Sequence, residues 1–215
     1  MRYHAERGLA AAESLGAPTM DVFLRVYLAF ANFMSGAWEE SLRNSTEAVA
    51  LGRRIGYPRN VAFVLAEQAT ILALQGDLSR AETCINELKT TFLGSCSADR
   101  HVIGLAEVAQ AAIALARGQP ERTLALAAGL VTKSASTTAA SALTPPYRLI
   151  TLMLLAEAQA VAGHAENALE TACKIGSLGP PDIPYLTALA LRAEGLARHA
   201  LGQREAAMEC LIRST

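Results

Sequence analysis

Aromatic residues are scarce in this chain of 215 residues: they make up 5% of it, although 52% of the residues are hydrophobic. The apolar content is therefore mostly Ala and Leu, both strong helix formers. The β-branched and aromatic residues that suit strands are comparatively few, so the composition leans to an all-α fold. An excess of one charge is missing as well. Nineteen Lys and Arg against twenty Asp and Glu leave a net charge of −1, and no general field draws the chain to nucleic acid or to an anionic membrane. Cys84, Cys96, Cys173 and Cys210 lie far apart, with no Cys-x-x-Cys pair and no His at ligand spacing. That excludes a clustered metal site and fits small buried hydrophobes in a reducing cytoplasm. The N-terminal residues hold no apolar signal core. Of the two long apolar runs, residues 22–38 contain Arg25 and Asn32, and residues 149–162 contain Glu157 and are too short to span a bilayer. A soluble, cytoplasmic protein is expected.

Chemistry-bearing patterns are missing too. His4, His101, His164 and His199 are isolated from one another. No His-Glu-x-x-His, no Gly-x-Ser-x-Gly elbow and no Gly-x-x-x-x-Gly-Lys-Ser/Thr loop occurs. Glu39 and Glu40 open a helix, where they compensate its dipole. Arg53, Arg54 and Arg59 gather around Tyr57. They read as cations at the carboxyl end of a helix, with a phosphate site as the alternative. No catalytic residue, metal or cofactor is expected.

What is present is a repeat. Gly36, Gly76, Gly118, Gly163 and Gly202 recur at intervals of 40, 42, 45 and 39 residues. Five residues after each stands a small one: Ser41, Ala81, Thr123, Ala168 and Ala207. Twelve residues before each of those stands Ala29, Ala69, Ala111, Ala156 or Gly195. A Gly that ends one helix, with small residues paired across the turn, describes a closely packed helical hairpin. The first helices are expected near Met20–Ser35, Arg59–Gln75, Arg100–Arg117, Arg148–Ala162 and Pro184–Leu201. The second are expected near Trp38–Ile55, Leu78–Leu93, Pro120–Lys133, Ala165–Ile175 and Arg204–Ile212. Segments Gly56-Tyr57-Pro58, Thr144-Pro145-Pro146 and Gly179-Pro180-Pro181 read as breaks between repeats, and Ser134–Leu143 as an extended loop.

The expected fold is all-α: a right-handed α-solenoid of about five tetratricopeptide-like hairpins in a single domain, 1–215. Its repeats cover about 20–58, 59–96, 99–143, 145–180 and 182–215. Leu15-Gly16-Ala17-Pro18 repeats Ile55-Gly56-Tyr57-Pro58 at 40 residues. Residues 1–18 therefore read as a second helix without its first, as expected of a fragment of a longer protein.

At these Gly-anchored turns and paired small residues the chain resembles the tetratricopeptide superfamily. Its period exceeds the standard 34 residues, and the early aromatic of each first helix is inconsistent. Second helices ending in Ser14-Leu15-Gly16-Ala17-Pro18 and Arg54-Ile55-Gly56-Tyr57-Pro58 look more like the helical repeat region of large bacterial regulators. These are LuxR-family ATP-binding activators and similar signal-transduction ATPases, some fused to adenylyl cyclase domains. The resemblance implies a non-catalytic sensor or interaction region of a bacterial transcriptional regulator, which binds a protein, a peptide or a small-molecule inducer. A general assembly scaffold without regulatory output is the alternative.

In such an array the first helices line a groove. Mapping from the small residues places Phe23, Val26, Phe30, Phe33 and Met34 there, followed by Phe63, Ala66 and Thr70, then Leu105, Val108 and Ala112. Ile150, Met153 and Glu157 come next, then Leu189, Arg192 and His199. The aromatic residues either pack against neighbouring helices or form an exposed patch for a peptide, a small molecule or self-association. No direct contact with nucleic acid and none with a membrane is expected. At the two ends, Leu9, Leu15, Met208, Leu211 and Ile212 are expected to lie uncovered and to promote self-association.

Overall fold

The computed structural model describes residues 2–93, 99–135, 143–178 and 184–214. All regular structure among them is helical. The helices are α1 (Arg2–Ser14), α2 (Pro18–Met34), α3 (Trp38–Arg54), α4 (Pro58–Leu74), α5 (Leu78–Leu88) and α6 (Arg100–Ala116). They continue with α7 (Pro120–Ala135), α8 (Pro145–Val161), α9 (Ala165–Leu178), α10 (Pro184–Ala200) and α11 (Arg204–Arg213). Helix α5 runs on into a π-helical turn, Lys89–Leu93. The first helices α2, α4, α6, α8 and α10 each have 17 residues. Two compact units form, Met1–Val102 and Ile103–Thr215. The division falls in the first turn of α6.

The turns close as the Gly pattern implies. Gly36 adopts φ 78°, a left-handed conformation that a Cβ would disfavour. The amide of Gly36 donates to the carbonyl of Phe33 at 3.1 Å, and that of Ala37 to Asn32 at 2.9 Å. This bond pair satisfies two of the carbonyls that a helix end leaves open. The same pair recurs at Gly76–Asp77, Gly118–Gln119, Gly163–His164 and Gly202–Gln203. It recurs also at Gly16–Ala17 and Gly56–Tyr57, between a second helix and the next first helix.

Three expected boundaries are corrected. Pro58 and the pair Pro145-Pro146, read as breaks, lie inside the first turns of α4 and α8, as Pro18 does in α2. The first-turn N–H has no helical acceptor, so a residue without that donor costs nothing there, and its fixed φ suits the helix. Helix α7 continues to Ala135, past the expected start of the loop. Residues 136–142 of that loop and the segment Gly179-Pro180-Pro181 lie outside the described residues.

In the first unit α2 packs on α1 and α3, and α4 packs on α2, α3 and α5. In the second, α8 packs on α7 and α9, and α10 packs on α8, α9 and α11. The twelve-residue pairing is a physical contact. Ser41 Oγ donates to the Ala29 carbonyl at 2.8 Å, and Thr123 Oγ1 donates to the Ala111 carbonyl at 3.2 Å. Ala69, Ala81, Ala156 and Ala168 are fully buried. At Gly195 a Cβ would stand 2.7 Å from Leu211 Cγ and 3.2 Å from the Ala207 carbonyl oxygen. That position needs glycine because α11 approaches so closely.

Candidate binding surface

In the first unit, large apolar side chains open to solvent are Tyr3 on α1, Leu15 just after it, and three on α2. Met20 is 52% exposed, Phe23 43% and Tyr27 41%. Their spacing of three and four residues puts them on one helical stripe. Phe23 and Tyr27 meet edge to face with centroids 4.7 Å apart, a geometry that aromatic quadrupoles favour. Beside them lies a depression of about 420 Å³ lined by Ala17, Pro18, Thr19, Met20, Phe23 and Tyr57. Val26, Phe30 and Met34 continue along α2 half-buried, and Phe63 of α4 is half-buried as well. The Phe63 ring stacks on His101 at 5.6 Å and 24°.

Ion pairs surround this surface. The Arg25 guanidinium bonds Asp21 at 2.5 Å, Glu13 at 3.1 Å and also Glu47, which joins α1, α2 and α3. Two of the three arginines around Tyr57 are likewise engaged: Arg53 pairs with Glu87 of α5, and Arg59 bonds Asp99 at 2.6 Å. Asp99 also accepts from the amides of His101 at 3.0 Å and Val102 at 3.3 Å, so it caps α6. Burial works to raise the Asp99 carboxyl. The Arg59 hydrogen bond and the two amides outweigh that and hold it below the usual carboxylate range.

Within the same unit, Gln68 links α4 to both neighbours. Its amide donates to Thr46 Oγ1 at 3.2 Å, and the Cys84 thiol lies 3.9 Å from its oxygen. Burial, reinforced by the negative charge of Glu87, pushes the Cys84 thiol up, away from thiolate reactivity.

In the second unit, Glu157 of α8 is buried and accepts from Arg192 of α10 at 2.6 Å. That hydrogen bond and the opposite charge raise the Arg192 guanidinium further. Burial, then Glu157, pushes the Tyr185 hydroxyl well above the usual phenol range. His199 is exposed near the end of α10.

The residues mapped to the groove therefore separate. Phe23, Arg192 and His199 are exposed; Val26, Phe30, Met34 and Phe63 are half-buried. Phe33, Met153 and Glu157 are buried. Ala66, Thr70, Leu105, Val108, Ala112, Ile150 and Leu189 are buried too. The mapping treated the face away from the hairpin partner as open, whereas neighbouring helices cover most of it. Met20 and Tyr27, outside that mapping, are exposed, and the spacing Met20, Phe23, Tyr27 is their signal in the sequence. Of the residues expected uncovered at the ends, Leu15, Met208 and Ile212 are exposed, and Leu9 and Leu211 are half-buried.

Among the described residues no group of three His, Cys, Asp or Glu is placed to hold a metal ion. No helix among them is long and apolar enough to cross a membrane. No protein-family model matches the chain, and no curated protein matches it either.

Proposed function

We propose that this chain is a non-catalytic binding module, a right-handed solenoid of about five tetratricopeptide-like hairpins that recognises a protein or peptide partner. The observation that carries the reading is the half-buried apolar row Val26, Phe30 and Met34 on α2, next in sequence to the hairpin whose Phe63 is also part-exposed. Side chains of this kind, held on packed helices, offer a preformed apolar site at little ordering cost. On the resemblance to the repeat regions of bacterial regulators, the module is the cytoplasmic sensor or interaction region of a transcriptional regulator. The bound species is then a protein, a peptide or a small-molecule inducer.

The test compares the chain with its Val26→Glu variant, matched for helicity, as bait in cell extract, with native mass spectrometry for small ligands. A species retained by the wild type and lost with Val26→Glu supports the reading. Identical retention by both refutes it. Recovery of assembly subunits, with no change in transcription on deleting the chain, favours the general scaffold instead.

A further inference from the structure

No further inference is drawn: the strongest candidate, the apolar depression of about 420 Å³ lined by Ala17, Pro18, Thr19, Met20, Phe23 and Tyr57 at the start of α2, belongs to the open α2 face already described, and nothing in the structure shows what covers it.

Discussion

Gly195→Ala adds one methyl group, and the structure predicts a sign opposite to the usual one. In a helix interior, replacing Gly with Ala normally stabilises by about 0.5–1 kcal/mol, because Gly loses more backbone freedom on folding. At Gly195 the new Cβ would lie 2.7 Å and 2.9 Å from Leu211 Cγ and Cδ2, and 3.2 Å from the Ala207 carbonyl oxygen. Leu211 is half-buried and can shift outward, but the carbonyl belongs to the α11 backbone and moves only with the helix. Overpacking of this kind costs about 1–3 kcal/mol. The clash therefore outweighs the propensity gain, for a net loss of about 0.5–2 kcal/mol.

Gly129 in α7 is the matched control, since a Cβ there meets nothing within 4 Å. Gly129→Ala should keep the whole propensity gain. With a melting shift of roughly 2–4 °C per kcal/mol for a chain of this size, Gly195→Ala lowers Tm by about 1–8 °C and Gly129→Ala raises it by about 1–4 °C. Thermal and urea unfolding followed by circular dichroism measure both. If Gly195→Ala stabilises as much as Gly129→Ala, the close approach of α10 and α11, and the register built on it, is wrong.

Three further outcomes are expected. Ala69, Ala111 and Ala156 are fully buried at the hairpin contacts, so each change to Leu should cost about 1–3 kcal/mol in urea unfolding. The same change at exposed Ala50 should be nearly silent. Ser41→Ala and Thr123→Val each remove a hydroxyl that bonds the carbonyl twelve residues back. Each should lose about 0.5–1.5 kcal/mol, and a neutral result would mean that these bonds add nothing to the helix contact. The Asp99 carboxyl is held below its ordinary value, so its contribution is complete above the unfolded pKa and is lost as the pH falls through the folded one. Asp99→Asn keeps a capping side chain but removes the charge. It should be less stable than wild type at neutral pH, with the gap closing below about pH 4. A gap that persists undiminished in acid would assign the effect to something other than ionisation.

The turns and the hairpin partners were legible in the sequence because their causes are local. A left-handed C-terminal residue needs Gly, as at Gly36 and Gly163, and two helices in close contact need small side chains at a fixed offset, as at Ser41 and Ala29. Such constraints mark the chain directly and repeat with the fold. The first-turn prolines put the starts of α4 and α8 one and three residues before the expected Arg59 and Arg148, because Pro both stops one helix and starts another. Only the missing amide's position in the turn distinguishes the two, and that depends on where the preceding helix ends. The exposed surface was the least legible part. Phe33 and Phe23 look alike in sequence and lie on the same helix, yet one is buried and the other open. Which stripe of a first helix meets solvent is decided by the elements packed around it, and those arrive from distant parts of the chain. Hairpin geometry is set by neighbours in sequence. The fate of Met20, Phe23 and Tyr27 is set by neighbours in space, which only the tertiary structure supplies.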